Sequence, residues 1–244
     1  MRLQRIVVSV VVTGALVVLG AACKPKLGGA CKPGKDSCID SKTAMHCGKD
    51  NTYVQVKCAG TLGCLKFGSR VSCDDSVAED GDACMGDSEE EYACNKGKKK
   101  AVVCRDGKFT THLDCKGPKG CSMIGKMLNC DTTLADKGDN CSKPGTYACA
   151  TDNKQMFICS SDKKWDVWRY CRGRDACQVK NNGNEVNCDV SISEENDPCG
   201  VPNAVACSVD GKKQLICRGG KFVQERECKK NGCTLSNTKR IDCS

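Results

Sequence analysis

The chain reads as a small, disulfide-rich, all-β protein built from four tandem six-cysteine modules of two hairpins each. Three observations carry that reading: 25 cysteines among 244 residues, only ten aromatic residues, and a cysteine spacing that repeats four times. A chain so poor in core material and so rich in crosslinking material has the profile of a stapled, exported scaffold. Internal repetition overrides the one or two ordinary domains that length alone suggests.

Apart from Cys23, the cysteines fall into four sets of six. The first is Cys31, Cys38, Cys47, Cys58, Cys64 and Cys73, and the second Cys84, Cys94, Cys104, Cys115, Cys121 and Cys130. The third is Cys141, Cys149, Cys159, Cys171, Cys177 and Cys188, and the fourth Cys199, Cys207, Cys217, Cys228, Cys233 and Cys243. Zinc is the other great user of sulfur, but it needs thiolates about two to four residues apart. No C-x-x-C occurs, so the expectation is disulfides, with no metal and no cofactor.

The chain opens with Arg2 and Arg5, an apolar run over residues 6–19, then Gly20, Ala21, Ala22 and Cys23. This fourteen-residue run falls short of the about 20 a bilayer span needs and matches a signal-peptide core with small residues at the cut. Residues 1–22 therefore read as a signal peptide and 23–30 as a tether. Modules follow at 31–75, 81–131, 138–189 and 196–244, joined by short polar and acidic links such as 76–80 and 190–195, like beads on a short string.

Within each module the segment between the third and fourth cysteines alternates as a hairpin. Asp106-Gly107 and Gly219-Gly220 supply the positive φ angles of a two-residue turn, while modules one and three have one residue more there. An aromatic follows the turn in every copy: Tyr53, Phe109, Trp165 and Phe222. Each is expected to cover a thin core or a disulfide. Module three adds Trp168 and Tyr170, and alternation sets these two opposite Trp165. Trp165, Trp168 and Tyr170 are thus the candidate ligand-binding residues.

The second hairpin is nearly symmetric, which sets Cys64 opposite Cys73, Cys121 opposite Cys130, and Cys177 opposite Cys188. Opposed residues lie within disulfide reach, so a fifth-to-sixth bond is the leading expectation among the 15 pairings six cysteines allow. Whatever the pairing, three bonds at about 2–4 kcal/mol each decide whether so small a unit stays folded.

No catalytic constellation is legible. His46 and His112 occupy unrelated places and read as solvent-facing strand residues, and no nucleophile elbow, P-loop or HExxH occurs. Asp74, Asp131, Asp189 and Asp242 recur beside the last cysteine but lack the oxygen spacing of a calcium loop, so they read as turn caps. Removing Arg2 and Arg5 from the 38 basic residues leaves 36 against 30 acidic, a net of +6. The lysines gather at Lys98 to Lys100, Lys163 and Lys164, Lys212 and Lys213, and Lys229 and Lys230. They read either as solvated turns among acids such as Glu89 to Glu91 or as contacts to an anionic polymer; no specific nucleic acid is implied.

The lipobox-like end at Cys23, the tandem six-cysteine units, the recurring C-x-x-G-K-F (Cys104 to Phe109, Cys217 to Phe222) and the later Gly-Cys (Gly120 and Cys121, Gly232 and Cys233) together resemble the cysteine-rich repeat lipoproteins of myxobacteria. Leu19 lies four residues before the cysteine where the usual lipobox has it three before. The resemblance covers nearly the whole chain and implies location: lipidation of Cys23, anchoring in a membrane, and, with Lys24 next, residence at the outer membrane. It implies no activity. Peritrophin-type modules have a longer first loop, and EGF modules a C-x-C absent here. The expected function is a non-enzymatic binding or adhesion array, with envelope polysaccharide or another surface protein as partner. The alternative is a tandem inhibitor of exported proteases acting through residues 105–108.

Overall fold

The computed structural model describes residues 25–86, 90–236 and 241–244. The expected signal peptide and Cys23 lie outside the described residues. Among those described, strands and turns make up the fold and no α-helix occurs. No helix there is long and apolar enough to cross a membrane.

Module one contains β1 (Ser37–Asp40), β2 (Thr43–Cys47), β3 (Tyr53–Lys57), β4 (Cys64–Phe67) and β5 (Arg70–Cys73). Module two repeats it as β6 (Tyr92–Cys94), β7 (Lys100–Arg105), β8 (Lys108–Asp114), β9 (Cys121–Ile124) and β10 (Met127–Cys130). Module three has β11 (Leu134–Ala135), β12 (Tyr147–Ala150), β13 (Gln155–Cys159), β14 (Trp165–Tyr170), β15 (Cys177–Lys180) and β16 (Glu185–Cys188). Module four has β17 (Ile192–Ser193), β18 (Val205–Ser208), β19 (Lys213–Arg218), β20 (Lys221–Glu227), β21 (Cys233–Leu235) and β22 (Ile241–Cys243).

Both expected hairpins are present in every module, and the segment carrying the second cysteine adds a third strand to the first hairpin, as in β6-β7-β8. The meander so formed is buried on two faces. In module two, Ala93, Val102, Cys104 and Phe109 fill one face, and Cys94, Ala101, Leu113 and Cys115 pack on the other against Cys121, Met123 and Leu128 of the second hairpin. Strand alternation sends successive residues to opposite faces, so a strand of six residues serves two small cores.

The disulfides join first to third, second to fifth and fourth to sixth cysteines in all four modules. In module two these are Cys84–Cys104, Cys94–Cys121 and Cys115–Cys130; modules one, three and four repeat the scheme. The expected fifth-to-sixth bonds do not form, although the register does set Cys64 opposite Cys73, Cys121 opposite Cys130 and Cys177 opposite Cys188. The paired cysteines point to one face of the hairpin, toward the meander, where Cys94 and Cys115 wait at Cα separations of 5.6 and 5.1 Å. A bond within the hairpin would tie strands already joined by backbone hydrogen bonds. The observed bonds tie two separate sheets and close longer loops, which removes more freedom from the unfolded chain.

The links are not free string. β11 and β17, which belong to the links, pair in parallel with β12 and β18 of the following module, and Val77 bridges Cys94 in the same manner. Ala78, Ala135 and Ser193 are buried there. Modules three and four thus take the preceding link as a strand of their own sheet, and module two takes it as a single bridge. Met85 of module two also packs into the core of module one. Twelve disulfides in sheets this small belong to an oxidising compartment outside the cytoplasm.

Candidate binding face

The aromatic after each turn sits directly opposite the third cysteine: Tyr53 by Cys47, Phe109 by Cys104, Trp165 by Cys159, Phe222 by Cys217. It covers the first-to-third disulfide, as expected. Phe109, Trp165 and Phe222 are fully buried, and the Tyr53 hydroxyl donates to the Lys35 carbonyl at 3.0 Å. Trp165 is therefore core and not a ligand contact, which corrects its place among the candidates.

From this aromatic the chain must reach the fourth cysteine on the opposite face. The two are separated by five residues in module one, an odd step that alternation turns over unaided, but by six in the other three. An even step keeps both on one face unless one residue is inserted. The structure inserts one each time: His112, Trp168 and Glu225 are the bulged residues of β8, β14 and β20, and β2 pairs β3 without a break. The bulge moves Trp168 out of the alternation that had set it with Tyr170. It is half-buried against the core beside Cys149 and Cys171.

The bulged residue meets the position two before the second cysteine. The Tyr92 and His112 rings lie 5.2 Å apart, and the Tyr147 and Trp168 rings 6.2 Å apart. In module four the two positions hold Val205 and Glu225, the latter 3.9 Å from Arg218. In module one Asp36 stands at this place and accepts at 3.1 Å from His46. The bulged backbone of modules two, three and four thus presents three different side-chain pairs, and module one, which has no bulge, sets a histidine of β2 on the aspartate instead. Tyr147, 41% exposed, escaped the sequence reading; its equivalence to Tyr92, both two residues before the second cysteine, is the signal that finds it. Arg169 lies over Trp168 at 5.6 Å and Arg172 over Tyr170 at 4.6 Å.

Neither histidine is simply solvent-facing. His46 is largely buried on Asp36, which also accepts from the Cys47 amide at 2.9 Å. His112 is half-buried, and burial together with the Arg105 charge lowers its pKa.

The recurring aspartates do act as caps in three modules. Asp131 accepts from the Lys119 and Thr133 amides and the Thr133 hydroxyl; Asp74 and Asp189 bond the same two backbone positions. Burial alone would raise the Asp131 carboxyl, but these donors outweigh it and hold it below its ordinary pKa. The carboxylate fills the space of a Cβ at Gly60, Gly117 or Gly173, so each cap needs its glycine. Asp242 is different: it precedes its cysteine and pairs with Thr234 in a strand.

Each junction between modules carries a charge clamp. Lys116 holds Asp136 and Asp139 at 2.7 and 2.5 Å. Arg172 holds Asp197 and, at 3.1 Å, Glu194, and Lys57 holds Asp82 at 2.7 Å. Burial pulls the Lys116 ammonium down, but its two carboxylates outweigh that and raise its pKa.

Among the described residues one group has metal-ligand geometry, Cys84, Glu91 and Cys104. Its two sulfurs are bonded to each other, so neither is a thiolate and the group does not fit a metal. Asp75 is buried beside Glu91, its Oδ2 without a hydrogen-bond partner; burial and the Glu91 charge push its pKa up to about 7. Comparison with protein-family models, with curated proteins and with solved structures finds no match.

Proposed function

We propose that this chain is a lipid-anchored protein of the cell envelope or surface, held at the outer membrane through Cys23, whose modules form a non-catalytic binding or adhesion array for envelope polysaccharide or another surface protein. The observation that carries the reading is a constant scaffold with a changing face. Disulfides and core recur in every module and the covering aromatic is fully buried in three, while the pair beside the second cysteine reads Asp36/His46, largely buried, Tyr92/His112, half-buried, Tyr147/Trp168, with the tyrosine exposed, and Val205/Glu225, both exposed. Fixed frameworks that vary at exposed positions are how binding surfaces are diversified. Module three is the strongest candidate, because an exposed tyrosine beside a tryptophan offers stacking area to a sugar ring.

The test is a glycan array and an envelope-polymer pull-down with the unlipidated chain. Retention by a polysaccharide is expected, with Tyr147→Ala lowering it roughly tenfold, as for an aromatic contact at the centre of an interface. Tyr147 is exposed, so the substitution leaves the fold in place. Absence of retention by any envelope polymer at moderate salt overturns the polysaccharide reading. The inhibitor reading draws nothing from the turn after Arg105. Asp106 and Gly107 have φ of 51° and 78°, Arg105 pairs with Lys108, and no extended segment lies between them for a protease cleft.

A further inference from the structure

The second hairpins differ along the chain in a way the binding face does not explain. Cysteines and core residues turn one side of each hairpin inward, leaving the other side to its surroundings. On that outer side Phe67 stands opposite Arg70, and Ile124 opposite Met127, at the tips of modules one and two. Phe67 is 65%, Ile124 63% and Met127 69% exposed. The matching rung of module three is Lys180 opposite Glu185, both exposed. The tip of module four, residues 237–240, lies outside the described residues, and its sequence is polar and basic.

Large apolar side chains raised on a tip are costly in water and mark contact sites. These two tips also carry basic residues, Lys66 and Lys126 among them, with no acid in either hairpin. Their modules are the two nearest the expected lipid at Cys23. Gly28 is tied to Tyr53 by a 2.9 Å backbone hydrogen bond, and the five residue steps from Cys23 to Gly28 reach at most roughly 18 Å.

We infer that the outer faces of the second hairpins in modules one and two, through Phe67, Ile124 and Met127, rest in the surface of a bilayer with anionic phospholipid headgroups. This rests on the lipid-anchor reading for its placement. The apolar tips enter the interface, and Arg70 and Lys126 meet the phosphates. A lipid chain combined with apolar and basic contacts gives a firmer hold than one signal alone. Module three, with its polar tip, remains free to bind.

The test uses the mature-length chain with Cys23→Ser, so that no acyl chain contributes, and vesicles of phosphatidylethanolamine and phosphatidylglycerol. With Phe67→Trp as reporter, emission should shift to the blue and be quenched by brominated lipid. Phe67→Asp combined with Met127→Asp should lower vesicle partitioning roughly tenfold or more, and Lys180→Asp in module three should not. Emission of the Phe67→Trp reporter that stays unshifted and unquenched up to millimolar lipid, or an aspartate variant that partitions like its parent, overturns the inference. The anchor is scored separately by the intact mass of protein extracted from envelopes. A missing acyl mass at Cys23 removes the anchor reading, while the vesicle result still decides the hairpins.

Discussion

The first junction between modules and the third are built on the same backbone and held by different electrostatics. In both, the link pairs in parallel with the following sheet, as a single bridge at Val77 in the first and as strand β17 in the third, and a cation holds the aspartate two residues before the next first cysteine. At the third junction the cation is Arg172, immediately after the fourth cysteine, and its guanidinium spans Asp197 and Glu194. At the first, Ala59 stands in that place and Lys57, on the other side of the cysteine and well exposed, reaches Asp82 alone. The first junction also buries Asp75 against Glu91, where module three has Val190, packed on apolar neighbours. Repetition of fold therefore does not bring repetition of strength: one junction is clamped by a cation over two acids, the other strained by two acids that share no cation.

The largest effect should come from Arg172→Met. It leaves buried Asp197 with no cation and only the Glu194 amide as donor, and should cost about 2–3 kcal/mol, discounted from a fully buried pair because Arg172 is partly exposed. Denaturant unfolding and protease cleavage within residues 190–195 measure it; a loss below the error of the method removes the clamp. Next in size is the pH response of the first junction. The Asp75 pKa is raised in the folded chain, so its contribution to stability is fully present below the ordinary carboxylate pKa near 3.8 and is lost as pH rises through about 7. Cleavage within residues 76–80 should therefore rise between pH 5 and about 7.5, and Asp75→Asn should flatten that rise. An unchanged profile in Asp75→Asn sinks the assignment. The smallest effect should follow Lys57→Met, below about 1 kcal/mol because the lysine is exposed. If it matches Arg172→Met, the two junctions do not differ as described.

The bulge shows how much the residue intervals alone make legible. The interval from Phe109 to Cys115 is even and that from Tyr53 to Cys58 odd, and this parity alone demands an extra residue in modules two, three and four. What it does not locate is which residue bulges, because that depends on which side chain the facing strand can accommodate. Simple alternation accordingly marks Trp168 as special and gives it the wrong neighbours, while Tyr147, distant in sequence, is passed over. His46 finds its acid in Asp36, one strand away, by a pairing that local spacing does not reveal.

The residues by themselves determined the number of modules, both hairpins and their turns, the oxidising compartment and the aromatic lid over one disulfide, because each of these follows from spacing along a single strand or turn. Tertiary structure alone decided which cysteine met which, how the links became strands of the next sheet, and which carboxylates each junction buries. Those outcomes depend on how two sheets stack, and the distance between sheets is written in no interval of the chain.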